Sequence, residues 1–170
     1  MSRLFATLSC ILLISACNQV DASQYGAASL ESEPLMSAAA APVNIELSTV
    51  QVYKTPTCGC CNGWVAHLEE DGFTVESQDL NDLTPVKDEM GVPTELRSCH
   101  TAVIDGLVIE GHVPAETIRQ VLADRGDLAG IAVPGMPLGS PGMEVPGREA
   151  DSYRVIGFTA DGARRVVAQH

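Results

Sequence analysis

Three cysteines in four residues, Cys58-Gly59-Cys60-Cys61, follow directly on the β-rich run Val50-Gln51-Val52-Tyr53 and the turn-forming Lys54-Thr55-Pro56-Thr57. Behind them Cys61, Trp64, Val65 and Leu68 recur at i, i+3, i+4 and i+7, one apolar stripe on a helix predicted from Cys61 to Asp71 and closed by Gly72. The thiols therefore stand where a strand hands over to a helix. Unpaired N–H groups and the helix dipole make such a junction electropositive, which favours thiolate, the form that attacks disulfides and binds soft metals. Beyond the N-terminal segment the one further cysteine is Cys99, beside His100 at the head of Thr101-Ala102-Val103-Ile104. The two groups are expected to form one site.

The chain around them reads as strands and helices in alternation. A strand is predicted over 73–78 and a short helix over 85–90, with Thr84 as its N-cap, Pro85 in the first turn and Gly91 past its end. The runs 101–104 and 107–110 flank Asp105-Gly106, a two-residue hairpin signal. Pro114 opens a helix whose buried stripe is Ala115, Ile118, Val121 and Leu122 and which Gly126 ends. The order β-α-β-α-β-β-α is that of thioredoxin, so the expected fold class is α/β and thioredoxin-like. From Gly126 to Gly147, Gly and Pro dominate and exclude regular structure, leaving a long ordered loop over the domain face. Residues 153–158 and 164–168, around Asp161-Gly162, read as a C-terminal β-hairpin.

The N-terminus carries a different kind of signal. Arg3 precedes the apolar run Leu4 to Ile14, too short to span a bilayer, and Ile14-Ser15-Ala16-Cys17 resembles a bacterial lipobox. That implies a signal peptide over 1–16, acylation of Cys17 and, from Asn18 at the next position, an outer-membrane lipoprotein on the periplasmic side. An ordinary secretory signal cleaved near Ala22 is the competing reading; both export the protein. Residues 17–48, rich in Ala, Ser, Glu and Gln, read as a flexible tether, and 49–170 as the domain. A net charge of -12 with no basic block argues against nucleic acid. Nothing suggests a nucleotide or flavin site. The exported part keeps Cys58, Cys60, Cys61 and Cys99, and thiols in an oxidising compartment are expected to pair or to hold a metal.

Cys58 and Cys61 have the C-x-x-C spacing of redox proteins, in which the first thiol attacks and the second resolves. Cys60 and the absence of a proline before Thr101 disturb that pattern: His100 falls about where thioredoxins place their cis-proline. Clustered thiolates select Cu(I), and several ions can share bridging sulfurs; zinc, with four sulfurs or three plus His100, is the alternative metal. His100 is a candidate ligand or a structural histidine. His112 is a ligand candidate or a residue at a helix start, and His67 is expected on the surface. Met136 and Met143 are thioether candidates that equally suit covering a core. Trp64 is expected in the core beneath the site.

Taken together, Tyr53-Lys54-Thr55-Pro56-Thr57-Cys58-Gly59-Cys60-Cys61, Ser98-Cys99-His100-Thr101-Ala102, Glu110-Gly111-His112-Val113-Pro114-Ala115, Pro134-Gly135-Met136-Pro137 and Gly139-Ser140-Pro141-Gly142-Met143-Glu144 resemble the CopG-type periplasmic copper-resistance proteins. The resemblance covers residues 50 to 170. It implies a thioredoxin-like fold, copper bound through the three-cysteine loop and Cys99, and a redox activity. The expected function is thus an exported copper-binding protein for copper resistance, with copper ions and other periplasmic copper-handling proteins as partners. Two readings compete with it: a thiol-disulfide oxidoreductase using Cys58 and Cys61, and a structural domain with two disulfides.

Overall fold

A computed structural model of the chain describes residues 49–170; the expected signal peptide, the tether and Cys17 lie outside them. In chain order the elements are β1 (Val50–Lys54), α1 (Gly59–Glu70), β2 (Val75–Asp79), α2 (Thr84–Glu89), a 3-10 turn (Thr94–Leu96), β3 (Thr101–Ile104), β4 (Leu107–Glu110), α3 (Ala115–Ala123), β5 (Leu128–Ala132), β6 (Arg154–Thr159) and β7 (Arg164–Gln169). The strands form one mixed sheet in the order β2-β1-β3-β4-β5-β6-β7. Strand β1 pairs parallel with β2 and antiparallel with β3, and β4 pairs parallel with β5. The expected α/β order is present up to α3, and three further strands extend the sheet beyond it.

Each face of the sheet has its own apolar layer. Trp64 and Leu68 of α1 and Ala115, Ile118 and Val121 of α3 pack with Val50, Val52, Leu107, Ile109 and Ile131. Val92 and Leu96, from the segment after α2, pack with Val108, Ala132 and Phe158. Alternate side chains of a strand point to opposite faces, so Leu107 and Ile109 serve one layer and Val108 the other. The β3–β4 hairpin turns on Asp105 (φ 50°) and Gly106 (φ 71°), the left-handed pair that a two-residue turn requires. Gly72 (φ 89°) ends α1 as expected.

Two local expectations need correction. Thr84 is not the N-cap of α2 but its first residue, and Asp82 Oδ1 accepts the Thr84 N–H at 2.9 Å. The stretch from Gly126 is not irregular throughout: Leu128–Ala132 is a strand, inserted between β4 and β6. Its sequence, Leu-Ala-Gly-Ile-Ala, lacks alternation because it is covered on both faces, with Leu128 and Ile131 in one layer and Ala132 in the other. Gly130 is required there, since a Cβ would stand 2.7 Å from Phe158 Cε1 and 2.7 Å from the Val108 carbonyl oxygen. The irregular loop runs from Val133 to Tyr153.

Gly130→Ala is therefore expected to destabilise the domain by about 1–3 kcal/mol through overpacking. A lower urea midpoint at unchanged slope is the signature; an unaltered midpoint would mean that β5 does not lie between β4 and β6.

Candidate metal centre

Cys58 is the N-cap residue of α1 (φ -77°, ψ 91°), and Cys60 and Cys61 lie in the helix's first turn. The turn is closed by the Cys58 N–H, which donates to the Thr55 carbonyl at 3.1 Å. Cys58 and Cys61 are joined by a disulfide, with Cα atoms 5.3 Å apart, while Cys60 and Cys99 carry free thiols. Cys60 Sγ lies 3.6 Å from Cys58 Sγ, and Cys99 Sγ lies 3.6 Å from Cys61 Sγ. The four sulfurs fall within 4.8 Å of one another. The two cysteine groups, 38 residues apart in sequence, are thus one cluster.

Two imidazoles flank Cys99. His100 Nδ1 stands 3.2 Å and His112 Nε2 3.1 Å from its sulfur, and both rings are fully buried. His112 Nδ1 lies 2.8 Å from the Pro141 carbonyl, which can only accept; that nitrogen carries the proton, and Nε2 offers a lone pair toward Cys99. His100 packs against Trp64, ring centroids 4.4 Å apart, and edge-on against His112 at 5.0 Å. Its Nε2 is buried without a hydrogen-bond partner among the described residues. Burial, aided by the nearby His112 and Lys87, drives the His100 pKa down to about 3, so the ring is neutral. Burial also lowers the pKa of His112. Both rings are therefore held in the form that ligates metal.

The loop after β5 completes the site from above. Gly142 (φ 84°) lies so close to α1 that a Cβ on it would stand 2.5 Å from the Cys60 carbonyl oxygen and 2.6 Å from the Trp64 nitrogen. A Cβ on Gly63 would meet the Gly142 Cα at 2.9 Å. Two glycines let backbone rest on backbone, which brings the Pro141 carbonyl to His112.

Cys58, Cys60, Cys61, Cys99, His100 and His112 are thereby gathered in one place. Met136 lies 54% exposed on the loop, and Met143, half-buried, follows the Gly142 contact. Trp64 is core, as expected, with its indole N–H donating to the Val113 carbonyl at 2.8 Å. His67 is not a plain surface residue: its Nε2 accepts the Ala115 N–H at 3.1 Å, at the start of α3. Sequence reasoning missed the Pro141 carbonyl, for which the Gly-Ser-Pro-Gly run was the only signal.

Burial, with the neighbouring Cys60, raises the Cys99 pKa to about 12. A thiol whose pKa is raised on folding favours the fold below its unfolded value, about 8.5, and loses that contribution as pH climbs toward 12. Urea unfolding of metal-free protein between pH 7 and 10.5 is expected to show stability falling above about pH 9. Cys99→Ser is expected to show a shallower fall; identical alkaline slopes would refute the buried, protonated thiol.

Residues 96–143 match the family described as "Protein of unknown function, DUF411". No curated protein matches the chain. Two solved structures of copper resistance protein CopG, forms 1 and 2, are each 48% identical to it. The first aligns over 74% of this chain and 98% of its own with a TM-score of 0.69, the second over 74% and 99% with 0.70. With that identity extending over nearly the full length of both relatives, the chain belongs to the family of copper resistance protein CopG.

Proposed function

We propose that the protein binds Cu(I) through Cys58, Cys60, Cys61 and Cys99, with His100 and His112 as nitrogen donors, and so serves copper resistance. The observation that carries this reading is the convergence of four sulfurs within 4.8 Å, with two neutral imidazoles against Cys99. Thiolate sulfur is a soft donor that favours Cu(I), and sulfurs so close together suit bridging between several ions. A mononuclear zinc site draws more often on spaced ligand pairs than on three cysteines in one turn. Met136 and Met143 are proposed as outer thioether contacts for arriving copper.

The Cys58–Cys61 disulfide favours a second reading, in which the site also exchanges electrons. Opening it takes two electrons and two protons and yields two thiols. Those thiols then lose their protons as they take up metal. A thioredoxin-like unit from β1 to α3 suits such a cycle, with Cys58 attacking and Cys61 resolving. We further propose export, acylation of Cys17 and an outer-membrane address facing the periplasm, on the strength of Ile14-Ser15-Ala16-Cys17. Copper would pass to or from other copper-handling proteins there.

Anaerobic titration of the fully reduced chain with Cu(I), against a chromophoric competitor and with free thiols counted, tests the reading. Tight uptake with loss of the four domain thiols is expected. Cys60→Ser is expected to lower copper stoichiometry while leaving disulfide cycling between Cys58 and Cys61 intact. Full stoichiometry in that variant would remove Cys60 from the site; weak copper binding with ready dithiol cycling would leave a disulfide oxidoreductase instead.

A further inference from the structure

Strand β4 ends on a carboxylate with no access to solvent: Glu110 is 0% exposed, and its partner Lys87, on α2, is 6% exposed. Glu110 Oε1 accepts from Lys87 Nζ at 2.5 Å and from the Ser98 backbone N–H at 2.6 Å, and Oε2 accepts from the Thr101 hydroxyl at 2.6 Å. Lys87 Nζ also donates to Thr101 Oγ1 at 2.8 Å. All the polar atoms of the group are satisfied, and none is a sulfur or imidazole of the site. A buried ion pair is a poor route to stability, because desolvation offsets the attraction and apolar residues of similar volume often do as well or better.

The placement of the pair explains it better than stability does. Ser98 and Thr101 stand immediately before and after Cys99-His100, so one carboxylate grips both ends of the dipeptide. The next residue, Gly111, donates its N–H to the His100 carbonyl at 3.1 Å. It also lies flat on Ser98, where a Cβ would come within 2.7 Å of the Ser98 Cβ. On the far side the Ser98 hydroxyl donates to the Gly135 carbonyl at 2.5 Å. The segment that carries Cys99 and His100 is thus tied from both sides through side-chain and backbone hydrogen bonds.

We propose that the Lys87–Glu110 pair is a positioning device for Cys99 and His100, fixing them against Cys61 and His112. Lys87 aims the carboxylate, and Glu110 holds the segment. The effect on copper rests on the proposed Cu(I) site, but the positioning itself does not. Outer partners of metal ligands typically carry about ten- to a hundredfold of metal affinity.

The test uses the full metal-free chain with Cys58–Cys61 oxidised, alkylated with iodoacetamide and mapped by peptide mass spectrometry. Cys60, on the first turn of α1 and outside the gripped segment, is the internal reference. Lys87→Met with Glu110→Leu removes both charges together and leaves no buried ion alone. In that double variant the Cys99-to-Cys60 labelling ratio is expected to rise, and Cu(I) affinity of the reduced chain to fall by about ten- to a hundredfold. Val155→Ala, a core truncation on β6, is expected to lower the melting temperature and leave the ratio unchanged. A folded double variant with the wild-type ratio overturns the proposal, as does an equal rise in Val155→Ala. Should the double variant not fold, Thr101→Val, which cuts the Oε2 arm and the Lys87–Thr101 hydrogen bond but keeps the ion pair and the Ser98 arm, decides in the same way. If the wild-type chain takes up no Cu(I), the copper reading fails while the labelling ratio still judges the positioning.

Discussion

Antiparallel pairing of β1 with β3, Tyr53 opposite Thr101, brings the outgoing end of one strand beside the incoming end of the other. The turn leaving β1 carries Cys58, Cys60 and Cys61, and the segment entering β3 carries Cys99 and His100. Their meeting is thus a matter of backbone register before it is one of side chains. A one-residue slip in that pairing would send Val52 and Ala102, both fully buried, to the wrong face, so the apolar layers enforce the register. Packing of the core and assembly of the donors are the same event.

Around that junction the protein sets two kinds of environment side by side. Cys58, Cys60 and Cys99 are partly open to solvent, so a small ion has access. His100 and His112 sit behind them in fully buried positions that keep both rings neutral. Soft sulfur at the entrance and neutral nitrogen behind it form a gradient from reactive to fixed. Trp64 closes the back with an indole tied to the Val113 carbonyl, so the wall nearest His100 is a hydrogen-bonded ring.

What could be read from the sequence was whatever local spacing encodes. The cysteine turn, the α1 stripe and the Asp105-Gly106 turn each lie within a dozen residues and follow backbone rules. Cys99 and His100 were legible because soft donors stand out beside a strand. Strand β5 was not, since burial on both faces erased its alternation and the need for Gly130 comes from Phe158, a residue of another strand. His112 was legible only through the family resemblance: what orients it is a carbonyl 29 residues away. Glu110 at the end of Leu-Val-Ile-Glu was a visible oddity, but nothing near it in the chain points to Lys87. The missed features are those whose cause lies across the fold.

The backbone contact between Gly63 and Gly142 has a bearing on the order of assembly. The cysteine turn is synthesised some 80 residues before the segment that covers it, counting from Cys58 to Pro141. In that interval Cys58, Cys60 and Cys61 are neighbours with no cover, free to form the adjacent or one-apart disulfide as well as the native one. Thiol-disulfide exchange reaches the native pair only while the thiols stay accessible. Docking of Gly142 on the α1 backbone between Cys60 and Trp64 then fixes the turn, so the last loop to arrive sets its geometry while Cys58 and Cys60 stay partly open to solvent.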